Sequence, residues 1–187
     1  MKYLIVGLGN IGTEYTNTRH NIGFTILDAY VEASNIIFET KRYGDIAQKK
    51  IKGRQVFFLK PSTYMNLSGK ALRYWMQNEK IPIENVLILT DDINIPLGKV
   101  RIRTKGSDGG HNGLKNISEI LGHSNFNRLR FGIGKEFGPG EQIDYVLGEW
   151  SADERKEIES RKKHIFDAIN SFVTTGIERT MNFYNIK

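Results

Sequence analysis

Lys2-Tyr3-Leu4-Ile5-Val6-Gly7-Leu8-Gly9-Asn10-Ile11-Gly12 reads as a buried strand running into a glycine turn. The glycines match the G-x-G-x-x-G pattern of dinucleotide sites, which needs a helix starting at the glycines to hold a pyrophosphate. Here polar Thr13-Glu14-Tyr15-Thr16-Asn17-Thr18-Arg19 follows, without helical periodicity, and the helix starts near His20. The acid about 20 residues on, Asp28, falls inside that helix and not at the end of a second strand. The glycines are better read as a sharp turn at a strand's C-terminal end. That turn presents Asn10 at the sheet edge, where α/β proteins place ligands.

Outward from this strand, strands and helices intermix. Ile22, Ile26, Leu27, Tyr30 and Val31 have helical spacing. Ile46 to Ile51 and Gln55 to Leu59 flank Lys52-Gly53-Arg54 as a hairpin. Leu67, Ala71, Leu72 and Trp75 mark the next helix, Val86 to Leu89 a strand, and Val100 to Thr104 a half-exposed strand with alternating basic residues. A short helix over Gly113 to Leu121 and a strand over Leu129 to Ile133 follow. From about residue 153, Ile158, Ile165, Ile169, Phe172, Val173 and Ile177 mark a C-terminal helical segment. The expected fold is α/β, and the hairpin argues for a mixed sheet. No linker interrupts residues 1–187, so a single domain is expected.

Composition narrows the class. No apolar run approaches the roughly 18 residues of a membrane span, and the N-terminus is too glycine-punctuated for a signal peptide. With no cysteine, disulfides and thiolate metal sites are excluded, which is compatible with a reducing cytosol. The formal charge of +6 suits either a polyanionic partner or a mildly basic protein, depending on where the charge sits.

Five segments carry candidate chemistry. His20 sits after a polar loop at an expected helix N-terminus, where the dipole favours the neutral, base-competent imidazole. None of the four histidines pair at metal-ligand spacing, so the expected role of His20 is acid–base. Tyr64 and Asn66, in Lys60-Pro61-Ser62-Thr63-Tyr64-Met65-Asn66-Leu67-Ser68-Gly69, either face a cleft or form a loop in which Asn66 caps the next helix. Asp91-Asp92 ends an apolar strand and suits a metal site, a polar turn or the orienting partner of a histidine, and the last is favoured. Alternation puts Arg101, Arg103 and Lys105 on one strand face, and Arg128-Leu129-Arg130 forms a second basic strand. Together these read as a phosphate-backbone track in preference to a solvated face. Between them the glycines of Gly106 to Gly113 offer amides to an anion.

In order along the chain, Gly7-Leu8-Gly9-Asn10, Thr18-Arg19-His20-Asn21, Tyr64-Met65-Asn66-Leu67-Ser68-Gly69, Asp91, Gly109-Gly110-His111-Asn112-Gly113-Leu114 and Arg128-Leu129-Arg130-Phe131-Gly132-Ile133-Gly134 resemble the bacterial peptidyl-tRNA hydrolase family. The resemblance implies one domain with a twisted mixed β-sheet surrounded by helices. It implies hydrolysis of the ester between a peptide and the 3′ ribose of tRNA, which returns tRNA to translation. It places the catalytic histidine on His20, its supporting carboxylate on Asp91, and discrimination of blocked from free aminoacyl-tRNA on Asn10. Substrate contacts fall on Tyr15, Tyr64, Asn66 and Asn112, and phosphate contacts on Arg101, Arg103 and Arg130. A cytoplasmic monomer is expected, with no metal, cofactor, membrane or obligate protein partner. The chain departs from the family pattern at Ile11, commonly proline, and at Asn94, often an acid. Tyr64 stands where phenylalanine is common, and Asp108, at a variable position, weakens phosphate attraction in its loop.

Ester hydrolysis needs a nucleophile, oxyanion stabilisation and a proton for the leaving alkoxide. Ser62 and Ser68 have no evident base, so water activated by His20 is the simpler nucleophile. Two rivals remain: a non-catalytic RNA-binding relative, and a nucleotide-dependent enzyme using the glycine turn.

Overall fold

The computed structural model describes residues 1–185. Seven strands form one sheet: β1 (Lys2–Gly7), β2 (Glu39–Lys41), β3 (Gly44–Ile51), β4 (Arg54–Pro61), β5 (Val86–Asp92), β6 (Val100–Arg103) and β7 (Asn127–Gly132). Among the described residues the helices are α1 (Ile22–Ala33), α2 (Ser68–Glu79), α3 (Asn112–Leu121), α4 (Gln142–Val146), α5 (Ala152–Thr175) and α6 (Ile177–Tyr184). The strand order is β2-β3-β4-β1-β5-β7-β6. Strands β4, β1, β5 and β7 are mutually parallel, whereas β2, β3 and β6 add antiparallel edges. The expected α/β fold with a twisted mixed sheet among helices is therefore the observed one.

Central β1 explains the opening apolar run. Tyr3 and Ile5 face a core built with α1 and α5, whereas Leu4 and Val6 face a second core built with α2 and α3. A strand covered on both sides cannot alternate with polar residues. Its neighbours β4 and β5 lie on opposite sides, so the chain switches direction across the sheet there. Ligand crevices form outside the carboxyl ends of strands at such a point.

The glycines do packing work and open no helix. A Cβ on Gly7 would lie 2.4 Å from the Gly23 carbonyl oxygen, and one on Gly23 would lie 2.5 Å from the Leu8 nitrogen. Paired glycines thus let α1 approach the end of β1 more closely than side chains allow. The first α-helix begins only at Ile22. His20 itself lies in a short 3-10 turn, Arg19–Asn21.

Two local expectations are refined. Asn66 does not cap α2, since that helix starts at Ser68 after Leu67 without a side-chain cap. The C-terminal segment is two helices, broken at Gly176, whose φ of 90° lies outside helical space. Short β2 and α4 carry too few residues to show a period.

Arg128 is also not what its strand neighbours suggest. It is fully buried, stacked 3.9 Å over the Phe126 ring. Its guanidinium donates to the carbonyls of Phe126, Gly106 and Ser124. Burial, with help from nearby Arg130, brings its pKa down to about 10. Arg128 therefore ties the loop after β6 to the sheet and does not face phosphate.

Candidate active site

Three loops converge at the carboxyl ends of β1, β4 and β5. The loop after β1 brings Asn10 and His20, the loop after β4 brings Tyr64 to Asn66, and the end of β5 brings Asp91. The turn bearing His20 is held from outside by its neighbour Arg19. The Arg19 guanidinium pairs with Glu154 at 3.1 Å, donates to the Tyr145 carbonyl at 2.9 Å and stacks on the Tyr145 ring. A half-buried ion pair with several hydrogen bonds holds a turn better than a lone exposed one.

His20 Nδ1 lies 2.9 Å from Asp91 Oδ2. The other carboxylate oxygen, Oδ1, lies 2.8 Å from His111 Nε2. His111 caps α3: its Nδ1 accepts from the Gly113 N–H at 3.1 Å and the Leu114 N–H at 3.3 Å. A nitrogen accepting two N–H bonds carries no proton, so the His111 proton resides on Nε2, which lies 2.8 Å from both Asp91 Oδ1 and Thr90 Oγ1. Each Asp91 oxygen thus takes one imidazole N–H, and both rings are oriented by one buried carboxylate. His20 Nε2 has no protein partner among the described residues and is the free nitrogen of the pair.

The electrostatics follow. Burial pushes the Asp91 carboxyl pKa up, but His20 and His111, by charge and hydrogen bond, hold it well below the usual carboxylate range. Burial pulls the His20 pKa down, while Asp91 raises it in net above the ordinary 6.5. This reverses the expectation that a helix N-terminus would favour neutral His20. The helix begins two residues later, and a carboxylate at hydrogen-bond distance outweighs its dipole.

His20, Asp91 and His111 are also the described residues spaced to hold a metal ion, with ligand atoms within 4.8 Å of one another. As hydrogen-bonded here they do not offer a cation site. Both ring nitrogens that face Asp91 carry protons, and His111 Nδ1 is occupied by the backbone of α3.

Asn10 is clamped by buried Asn21. The Asn21 side chain accepts from the Asn10 N–H at 2.8 Å and donates to the Asn10 carbonyl at 2.9 Å. Asn10 Oδ1 accepts the Met65 N–H at 2.7 Å. With that oxygen committed, Asn10 offers its NH2 group, a donor suited to a carbonyl oxygen.

A cleft of about 100 Å³ opens at His20, Asp91, Asp92, His111 and Asn112. Of the residues predicted from sequence, His20, Asp91 and Asn112 line it directly. Asn10 adjoins through Asn21 and through Met65, which carries Tyr64 and Asn66 at the surface. Tyr15 lies half-buried in a separate turn, Thr13–Tyr15. Arg101 and Arg130 stand opposite each other across β6 and β7, as do Arg103 and Arg128. Arg101 and Arg103 are exposed on this edge. Arg130 is engaged: it pairs with Asp92 at 3.2 Å and donates to the Ser107 carbonyl at 2.9 Å.

Sequence reasoning assigned no role to His111 or Asn21, although both stand inside quoted motifs. Only the hydrogen-bond pattern separates them from ordinary loop residues.

Known proteins of similar sequence and fold point to one family. A family model described as peptidyl-tRNA hydrolase matches residues 4–187. A peptidyl-tRNA hydrolase of Phocaeicola vulgatus is 58% identical over 187 residues, covering 100% of both chains. One of Cytophaga hutchinsonii is 54% identical over the same span, again covering 100% of both. The crystal structure of peptidyl-tRNA hydrolase from Acinetobacter baumannii superimposes with a TM-score of 0.91 at 34% identity, covering 98% of this chain and 94% of that one. A family model spanning nearly the whole sequence, and relatives sharing more than half of it, leave one conclusion: the chain belongs to the peptidyl-tRNA hydrolase family.

Proposed function

We propose that this chain hydrolyses the ester joining a peptide to the 3′ ribose of tRNA, with His20 as general base. The observation that carries the reading is the buried His20–Asp91 pair with His20 Nε2 free beside a cleft. His20 Nε2 takes a proton from water as the water oxygen attacks the ester carbonyl. The tetrahedral intermediate collapses, the bond to the ribose oxygen breaks, and His20 returns the proton to that oxygen. Asp91 holds the Nδ1–H tautomer and stabilises the imidazolium formed in between. Donors among Asn10, Asn66 and Asn112 serve the peptide main chain and the developing oxyanion without adding charge. An acylated amino group brings an amide to such donors, whereas a free one brings an ammonium, and this difference underlies selectivity for blocked substrates. Residues 1–187 act as one catalytic domain. In this reading it is a cytoplasmic monomer that needs no protein partner, as the family resemblance implies.

The purified chain is expected to release free tRNA from N-acetylated aminoacyl-tRNA and to leave the unblocked aminoacyl-tRNA intact. No release in either case would overturn the hydrolase reading in favour of an RNA-binding relative.

Tyr15, Tyr64, Asn66 and Asn112 are read as substrate contacts, and the arginines as phosphate contacts. Of these, Arg101 and Arg103 are the cations without an acidic partner among the described residues. Arg103→Ala should therefore raise KM with little change in kcat, and should lower the slope of log KM against log salt by about 1. Arg130→Ala should have a smaller effect on the slope, because Asp92 already neutralises it. Equal slopes in wild type and the Arg103 variant would place the RNA elsewhere.

A further inference from the structure

Three carboxylates line the cleft beside His20: Asp91, Asp92 and Asp108. Two of them have cationic or N–H partners that absorb their charge. Asp91 takes one imidazole N–H on each oxygen. Asp92 pairs with Arg130 through Oδ2 at 3.2 Å and accepts the Asn94 N–H through Oδ1 at 2.8 Å. Asp108 differs. It is half-buried, its Oδ1 accepts only the Gly110 N–H at 2.8 Å, and no cation lies within ion-pair distance among the described residues.

The same cleft has apolar walls, from Ile93, Leu114, Ile143 and Val146. Ile143 is 70% exposed, so this wall has room to gain from contact with an apolar group. A partly desolvated carboxylate without a counter-ion gains from a cation. An aliphatic stem ending in a cation satisfies both features at once, because its carbons cover apolar surface while its head remains polar. RNA phosphate is repelled by Asp108 and gains nothing from isoleucine, so this part of the cleft suits the acyl side of the ester.

We propose that Asp108 is a specificity-determining residue that favours substrates whose esterified amino acid carries a lysine or arginine side chain. The proposal rests on the reading that the ester lies against His20 in this cleft. A neutral aliphatic side chain of equal length meets the apolar walls and leaves the carboxylate unpaired. An acidic side chain meets repulsion.

The test uses one tRNA carrying N-acetyl-lysine, N-acetyl-norleucine or N-acetyl-glutamate, so that the RNA contribution is constant and only the side-chain head differs. For the wild-type chain, kcat/KM for the lysine ester should exceed that for norleucine by about fivefold at low salt. Glutamate should fall below norleucine. The lysine advantage should shrink towards parity at about 0.5 M salt, where partly exposed charges are screened. Asp108→Asn keeps the acceptor for the Gly110 N–H, and should bring the lysine-to-norleucine ratio to about one. Equal rates on lysine and norleucine esters by the wild type, or a ratio unchanged in the Asn variant, would overturn the role of Asp108 while leaving the hydrolase reading intact. No turnover of any of the three esters would instead overturn the hydrolase reading on which it rests.

Discussion

His20→Ala is expected to cut kcat on N-acetylated aminoacyl-tRNA by about 10²–10⁴-fold, the usual range for a positioned general base. KM should stay within about twofold, since the RNA contacts proposed at Arg101 and Arg103 lie on the edge strand β6 and not among the residues that line the cleft. The loss falls on kcat because proton transfer from water to His20 develops only in the transition state. The substitution is also structurally mild: His20 sits in a 3-10 turn held by the backbone and side chain of Arg19. Single-turnover hydrolysis, with tRNA binding measured in parallel, separates the two effects. Residual turnover within tenfold of wild type would mean that another group activates the water.

Asp91→Asn is expected to cost about as much, 10²–10⁴-fold in kcat, although it preserves size and hydrogen-bonding capacity. The reason lies in the pairing of both carboxylate oxygens with imidazole N–H donors. An amide has one acceptor and one donor end, so it can satisfy only one of the two rings. His111 has no freedom to adapt, because Gly113 and Leu114 hold its Nδ1 as an acceptor. It therefore keeps the amide oxygen. The NH2 end is left facing His20 Nδ1, which must become an acceptor and move its proton to Nε2. The nitrogen that should take a proton from water then already has one.

The same variant has a pH signature. Neutral His20 is the active form, and Asp91 raises the His20 pKa above the ordinary 6.5. Wild-type kcat/KM should accordingly be lost as pH falls through a value above 6.5. Without the carboxylate charge, burial is the dominant remaining influence and lowers the pKa. The acidic limb of the Asp91→Asn profile should shift to lower pH on top of its reduced plateau. A limb that stays in place would show that another group than His20 sets it.

Much of this was legible in residue order. The unbroken apolar run from Tyr3 to Leu8 determined a strand covered on both faces. The lack of helical period after Gly12 argued against the dinucleotide reading, and the ordered motifs pointed to the family and to His20 with Asp91. These features are local: periodicity, turn chemistry and motif spacing are properties of short windows. Even short β2 and α4 were lost to that method, since a period cannot show in so few residues.

Pairings between distant residues were decided only by the tertiary structure. Arg128 and Arg130 share one strand, yet one is buried under a loop and the other is neutralised by Asp92, because burial depends on what covers the strand. His111 looked like part of a flexible glycine loop, and became the second imidazole on Asp91 because α3 begins there and fixes its tautomer. His20 itself was expected to be neutral at a helix end. The carboxylate 71 positions away in sequence raises its pKa instead, since a charge at 2.9 Å outweighs a dipole that acts from the following turn.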